Sequence, residues 1–257
     1  MNVSTKLWGW LKMALIDKLT AIADAIRNVT GEQDKLTLEQ MPGEIERIGF
    51  GGGGGGGDDL AKILLDRTAT EFDFDTAGVT TIGDYACAYW ASLETIKIKN
   101  VTYIGIQGFR GCSGITELEA PNLENSGASI FLGCGQLTIA RLPKLKILRQ
   151  STFEWCSNMH TLDLGSCEYI EVAAWRYCAA LETLILRNET MVCGLHNSHF
   201  TSDTAIGKGT GYIYVPRALL SDDDETKDYR RATNWSAYTD RIRAIEDYPE
   251  ICGEVSA

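Results

Sequence analysis

Apolar residues in the middle of the chain recur at an interval of 22 residues. One position holds tryptophan or cysteine in five successive units, and the positions three before and three after it are apolar too. The three series are Trp90, Cys112, Cys134, Cys156, Cys178; Cys87, Phe109, Phe131, Phe153, Trp175; and Leu93, Ile115, Leu137, Met159, Leu181. A period of this length is typical of a solenoid, whose units bury their apolar faces by stacking on one another. Such a protein presents a binding surface and carries no chemistry by default.

Each unit also predicts one short strand, because apolar and polar residues alternate after the third series. The aliphatic positions are Ile96, Leu118, Ala140, Leu162, Leu184 and Ile98, Ala120, Leu142, Leu164, Leu186. The residues between them point to the opposite face. One outward series, Thr95, Glu117, Ile139, Thr161, Thr183, supplies the candidate ligand contacts. The other is Lys97, Glu119, Arg141, Asp163, Ile185, and its alternating charges are explained structurally as cross-strand pairs. The predicted fold class is an α/β repeat solenoid with parallel strands.

The two ends of the solenoid need caps, since an open end is an apolar, unpaired edge. Residues 60–74 predict an opening β element with Phe72 and Phe74 on one side. Residues 217–257 form the predicted C-terminal helical cap, with a helix over 230–245. Its apolar residues recur at helical spacing: Trp235, Tyr238, Ile242 and Ile245. In the unit 123–144, Ser126 and Ala140 replace larger aliphatic residues, which predicts an irregular turn.

Residues 1–49 form a predicted helical segment for anchoring and oligomerisation. The helix covers 4–29, and its apolar residues follow a heptad spacing: Leu15, Leu19, Ile22, Ile26 and Val29. A seam of about two heptads requires partner chains for stability; packing on its own domain is the alternative. A linker over 50–57 contains seven consecutive glycines, Gly51–Gly57. It is expected to be a flexible joint, or else ordered polyglycine inside an assembly. The solenoid domain then covers 58–216.

Composition removes several classes of function. The net charge of −11 disfavours nucleic-acid binding and adsorption to anionic lipid. No apolar stretch is long enough to span a bilayer, and the first residues do not resemble a signal peptide. Of the eight cysteines, four share one repeat position, where parallel side chains pack without pairing. We therefore expect free buried thiols and not disulfides.

Three polar clusters could carry chemistry, and each is better explained as a loop. Cys193, His196 and His199 are weak candidates for metal ligands, because their spacing matches no standard zinc site. The glycine-rich segment 207–211 lacks the spacing of a phosphate-binding loop. The acidic segment 222–225 lacks the pattern of a calcium loop. No catalytic motif is evident, so we expect a non-enzyme with no cofactor and no resident metal.

Two segments resemble known families. The phrase Ile104-Gly105-x-x-Gly108-Phe109-x-Gly111-Cys112-x-x-Ile115 and its equivalents closely resemble the BspA-like leucine-rich repeat, over residues 72–246. The segment from Leu19 to Arg27, followed by Met41-Pro42, resembles the opening of tail-associated proteins of phages that infect Firmicutes. Together these resemblances imply a virion structural protein, a tail or head fibre whose solenoid decorates the particle or attaches to the host.

The expected partners follow from that implication. The N-terminal segment would bind other virion proteins and form a homo-oligomer, with a homotrimer expected by analogy to other fibres. The solenoid would bind a host cell-surface protein or glycan, with no membrane insertion and no nucleic acid. Tyr89 and Tyr177 are further candidate contacts, although we favour half-buried packing for both. The expected location is the virion. The alternative is a BspA-like adhesin on the bacterial cell surface, and a surface-degrading hydrolase is a third hypothesis.

Overall fold

A computed structural model describes residues 67–196, 200 and 203–252. In this part the chain coils into a parallel-strand solenoid of about six turns with a spacing of about 22 residues. The predicted N-terminal helix with its heptad seam, the polyglycine linker and residues 60–66 of the opening element lie outside the described residues. Within the described ranges, no helix has the length and apolar composition needed to cross a membrane.

Each of the first six turns contributes one long and one short strand, and two further long strands follow. The long strands are β1 (Glu71–Asp73), β3 (Thr95–Lys97), β5 (Glu117–Glu119), β7 (Ile139–Leu142), β9 (Thr161–Leu164), β11 (Thr183–Leu186), β13 (Tyr212–Val215) and β14 (Ile242–Ala244). The short strands are β2 (Thr81–Ile82), β4 (Tyr103–Ile104), β6 (Asn125–Ser126), β8 (Ile147–Leu148), β10 (Tyr169–Ile170) and β12 (Gly194–Leu195).

The strands form parallel sheets along the solenoid. The long strands β5 to β14 make one six-stranded sheet, and β1 pairs with β3 separately. The short strands make two sheets, β2–β4–β6 and β8–β10–β12. The interruption falls in the unit 123–144, where the buried Ser126 hydroxyl has no hydrogen-bond partner. The predicted irregular turn is therefore confirmed on the short-strand side, whereas β7 pairs normally on both sides of Ala140.

The repeated apolar residues line one continuous core. Phe109, Phe131 and Phe153 stack with ring planes 4° and 7° apart and centroids 5.2 and 5.8 Å apart. Phe72 and Phe74 are buried beside the first turn, as expected for an N-terminal cap. Because identical side chains meet their own counterparts one turn away, each unit completes its packing only through its neighbours.

The cysteine series is bonded by thiol-to-carbonyl contacts. Each Sγ donates to a backbone carbonyl of the preceding turn, as Cys112 does to Cys87 (3.0 Å) and Cys178 does to Phe153 (3.0 Å). The same carbonyl already accepts an N–H within its own turn, so the thiol occupies its second lone pair. All seven cysteines with described side chains are free and buried, which confirms the prediction. Burial raises the pKa of the Cys112 thiol to about 12, which opposes thiolate chemistry.

In the five segments that join a short strand to the next long strand between β2 and β11, the chain forms tight turns and not helices, which corrects the α/β prediction. Two positions in each of these segments have a left-handed backbone, as at Tyr85 (φ 58°) and Tyr89 (φ 62°). An α-helix needs negative φ at every residue, so a left-handed residue every four positions prevents one. The backbone N–H groups bond to the next turn instead, as Phe109 does to the carbonyl of Ile130 (2.9 Å).

The C-terminal cap is built from short elements. They are the 3-10 helices Arg217–Leu219, Glu225–Lys227, Ser236–Arg241 and Ile245–Asp247, and the single α-helical turn Pro249–Cys252. The predicted helix over 230–245 is wrong, because Ile242–Ala244 is strand β14. It pairs with the otherwise open edge of β13 and so extends the solenoid sheet beyond residue 216. Trp235 does close the core, and its indole N–H donates to the carbonyl of Cys193 (2.6 Å).

A buried carboxylate holds this cap together. The fully buried Asp228 side chain accepts hydrogen bonds from the Arg230 backbone N–H (2.9 Å) and Nε (2.9 Å), and lies 3.3 Å from Arg231 Nε. Burial opposes the charged form, but the Arg230 contacts outweigh burial and lower the pKa of Asp228. Asp222, which contacts Arg230 at 2.7 Å, and Glu225, which lies 3.9 Å from Arg231, are further acidic groups at this cluster.

We predict that Asp228→Asn lowers the free energy of unfolding at pH 7 by about 1–3 kcal/mol, because a bonded charge is lost. Because folding lowers the pKa of Asp228, its ionised form stabilises the protein at pH values above the unfolded-state pKa of about 3.9. This stabilisation is lost as the pH falls through the folded-state pKa. The difference from wild type, measured by urea unfolding, should therefore shrink below about pH 4. Asp223→Asn, at an exposed carboxylate, is the control. A pH-independent difference would contradict this role.

Candidate functional site

The predicted contact series lies on the outer face of the sheet formed by the long strands, which we name the long-strand face. Its residues are aligned in register. Glu117 pairs with Ile139, Ile139 with Thr161, and Thr161 with Thr183, while Thr95 lies on the separate β1–β3 pair. Thr95 and Glu117 are exposed and the other three are half-buried. The series is a column of three threonines, one glutamate and one isoleucine.

The neighbouring charged series acts as a structural ladder. Lys97 contacts Asp73 at 3.1 Å, and Asp163 accepts two bonds from Arg187, at 2.8 and 2.7 Å. Glu119 and Asp163 flank Arg141 in register, as the alternating signs predict. Lys97 and Asp163 are thus paired with opposite charges of an adjacent turn, so the ladder stabilises the sheet more than it offers a ligand site.

The C-terminal segment covers one end of this face. Ile185, expected to point outward into solvent, is instead buried with Tyr214 and Ile245, and Tyr212 and Tyr248 pack around them. This corrects the prediction, because residues after β14 fold back over the sheet face, which the repeat pattern does not encode. The long-strand face is therefore accessible to solvent at the earlier turns, whereas the C-terminal residues cover it at the last turns.

A second surface lies at the edge formed by the tight turns. Tyr89, Gly111, Gly133, Trp155 and Tyr177 occupy one repeat position in successive turns, and we name this series the aromatic ridge. Tyr89, Trp155 and Tyr177 expose 57%, 53% and 40% of their surface. This corrects the preference for half-buried packing of the two tyrosines. Exposed large aromatics in a periodic row are more informative about binding than scattered apolar residues.

The turn geometry fixes the backbone of the aromatic ridge. All five residues have a left-handed φ, between 62° at Tyr89 and 77° at Gly133. Their N–H groups donate to the next turn, as Gly133 does to Glu154 (2.8 Å) and Trp155 does to Arg176 (2.9 Å). Glycine adopts this conformation freely, whereas bulky aromatics adopt it at a cost of about 1–3 kcal/mol. Left-handed residues also occur outside the ridge, as at Ser151 and Ala173, so this backbone is a property of the repeat itself.

Contacts between side chains hold the exposed rings. The rings of Trp155 and Tyr177 stack with centroids 4.1 Å apart. The Arg176 guanidinium lies 5.3 Å from the Tyr177 ring centroid, and its Nε donates to the buried Glu154 at 2.8 Å. Arg110 lies 5.4 Å from the ring centroid of Tyr89. The ridge is therefore a preorganised surface of aromatic faces and guanidinium donors.

Sequence reasoning missed Trp155 and the two glycines of the ridge. The available signal was a further series at the same 22-residue spacing, directly before the tryptophan and cysteine series. Its members are aromatic or glycine, so no single residue type marks it. What links them is the left-handed turn, which only the coiled backbone reveals.

The described residues do not form the metal site for which Cys193, His196 and His199 were weak candidates. Cys193 is buried, with its Sγ 3.7 Å from Cys167 Sγ, and it belongs to the contact that anchors Trp235. His196 is half-buried, and His199 lies outside the described residues. Among the residues that the structure describes, no three His, Cys, Asp or Glu side chains are grouped to hold a metal ion.

Comparison with known proteins finds similarity in the repeats. Residues 80–204 match the model of the BspA type Leucine rich repeat region in six copies, so this part of the chain is similar to that repeat. A crystal structure of a leucine-rich repeat protein from Bacteroides ovatus is similar with a TM-score of 0.39 and 20% identity. The similarity covers 60% of this chain and 45% of that one, so this chain spans less than half of its length. No curated protein matches the sequence.

One contact at the end of the ridge can be tested directly. Tyr177 lies in the last turn of the ridge, and its N–H donates to the Asp203 carboxylate (3.0 Å) where earlier turns use a backbone carbonyl. We predict that Asp203→Ala accelerates hydrogen exchange at the Tyr177 amide about tenfold or more, because a bond to a charged acceptor contributes about 1.5–3 kcal/mol. Asp203→Asn keeps an acceptor and should accelerate it less. Unchanged exchange in Asp203→Ala would contradict this capping role.

Proposed function

We propose that this protein is a non-catalytic recognition module that binds a macromolecular ligand on a cell surface through its aromatic ridge. The observation that carries the proposal is the row of exposed Tyr89, Trp155 and Tyr177 on strained, rigid turns. Tryptophan, tyrosine and arginine dominate the binding energy of known interfaces, and all three occur here. The open part of the long-strand face, including Thr95 and Glu117, is a second contact region in this proposal.

The particular setting that we propose is a phage virion, with the solenoid carried on a tail or head fibre. The support is the resemblance of the N-terminal segment to phage tail-associated proteins, which lies outside the described residues. A BspA-like adhesin on the bacterial cell surface is the second candidate, and the repeat region 80–204 is equally consistent with it. Immunogold labelling of purified particles and of intact cells decides between the two locations.

The ridge is tested by cell binding. We predict that Trp155→Ala in the full-length, fluorescently labelled protein weakens binding to Firmicutes cells tenfold or more, since truncating a central aromatic contact commonly costs more than about 1.4 kcal/mol. Flow cytometry over a protein concentration series measures the change. Tyr103→Ala, at an exposed tyrosine of β4 outside the ridge, is the matched control and should bind as wild type. Equal loss in both variants, or in neither, would count against the ridge.

The anchoring role of residues 1–49 is tested separately by oligomeric state. We expect the full chain to form a homotrimer through the seam Leu15, Leu19, Ile22, Ile26 and Val29, with multi-angle light scattering giving three times the chain mass. Ile22→Asp should dissociate it, because a buried charge in a heptad seam is unpaired. Ala23→Asp, one residue outside the seam, should not. A monomeric wild-type chain would remove the anchoring proposal.

A further inference from the structure

The aromatic ridge has one gap, at the turn of Gly133. A Cβ atom built on Gly111 would lie 2.8 Å from Cδ1 of Tyr89, so the Tyr89 ring already covers the Gly111 turn. A Cβ atom built on Gly133 would meet its nearest neighbours only at 3.9 Å, in Gly111. We name this open position the glycine slot, with Gly133 as its floor and Tyr89 and Trp155 on its two sides.

The orientation of Trp155 makes it a wall of the slot. Trp155 and Tyr177 lie one turn apart, and their rings stack with centroids 4.1 Å apart. The faces of both rings are therefore directed along the solenoid axis. The face of Trp155 that is turned away from Tyr177 is therefore directed toward the Gly133 turn. The exposure of Trp155 fits a face with no protein ring against it.

The spacing of the turns sets the width of the slot. Successive parallel strands lie about 4.8 Å apart, so the Gly111 and Trp155 levels are separated by roughly 9.6 Å. A ring in van der Waals contact on both faces needs at least roughly 7–8 Å, twice the usual contact distance of about 3.5–4.0 Å, and a puckered pyranose needs somewhat more. The slot thus admits one ring of a ligand between its walls.

The chemistry around the slot favours a sugar ring. Aromatic faces pack well against the C–H face of a pyranose, and a ligand rich in hydroxyl groups needs donors at the rim. Arg110 stands beside Tyr89, and its guanidinium offers several N–H donors, of which one bonds to Gln107 Oε1 at 2.6 Å. The glycine floor lets a ligand approach the backbone closely. The net charge of −11 opposes nucleic acid, another polymer whose rings stack on aromatic side chains.

We infer that the glycine slot binds a pyranose ring of a cell-surface polysaccharide, stacked on Trp155 and hydrogen-bonded by Arg110. Tyr177 lies on the far side of Trp155, so the polymer would enter the slot across the ridge and hold one ring there. This inference rests on the proposed function and names the class of its ligand.

The test fills the slot without removing any wall. Gly133→Tyr should fold, because the same repeat position already holds Tyr89 and Tyr177 at φ 62° and 64°. We predict that Gly133→Tyr and Trp155→Ala each weaken binding tenfold or more, whereas Tyr103→Ala binds as wild type. The probes are immobilised cell-envelope polysaccharides and soluble oligosaccharides of two to six pyranose units, measured by calorimetry with the full-length protein. Thermal unfolding of each variant confirms that it is folded.

The outcomes separate the sugar inference from the proposed function. Cells that lose binding after periodate oxidation of their glycans, and retain it after protease treatment, support the sugar ligand. Binding that is lost after protease treatment, survives periodate and still depends on Trp155 overturns the sugar inference but keeps the recognition module. Oligosaccharide binding that Gly133→Tyr leaves unchanged also overturns the slot. If the wild-type protein binds no cells and none of the saccharides, both proposals fail.

Discussion

Hydrogen bonding between successive turns is the constraint on which the rest of this structure depends. In the turn segments, an N–H bonds to a carbonyl 21 residues later, as Phe131 does to Thr152 (2.9 Å). In the strands, residues 22 apart pair directly, as Leu162 does with Leu184. From β5 to β11 this interval stays constant, so side chains there meet their own counterparts. The outer pairings join longer units, since Glu71 pairs with Thr95 and Thr183 pairs with Tyr212. The phenylalanine stack and the thiol-to-carbonyl series follow from that alignment.

The same constraint explains how the solenoid ends. Near both ends of the solenoid, carboxylates accept hydrogen bonds from backbone N–H groups, and Asp203 does so where earlier turns use a backbone carbonyl. Asp75 accepts from the N–H groups of Lys99 and Asn100 near the start, at 2.9 and 2.7 Å, and Asp203 accepts from Tyr177 near the end. Strand β14 occupies the last edge of the long-strand sheet, and the following residues bury Ile185. End closure therefore decides which surfaces stay open for a ligand.

Rigidity connects this architecture to recognition. The turns that carry the aromatic ridge are bonded on one side to the next turn and packed on the other against the core, with Cys156 buried directly after Trp155. Side chains on such turns lose little freedom when a ligand binds, which reduces the cost of association. A repeat solenoid is a scaffold that adds identical positions at a fixed spacing, and this suits ligands that are themselves repetitive.

The sequence alone determined the repeat interval, the buried columns, the free thiols and the irregular turn at Ser126, because stacking requires the same apolar residue types at the same spacing. It also predicted that Trp235 closes the core. It did not reveal strand β14, since Trp235, Tyr238, Ile242 and Ile245 fit a helical spacing and only the open edge of β13 favours a strand. Nor did it reveal the ridge, where glycine and aromatic residues share a left-handed backbone. The local sequence pattern determines which side chains are buried in every unit. The strand at the sheet edge and the conformation of the turns depend instead on which residues of other turns come within hydrogen-bonding distance.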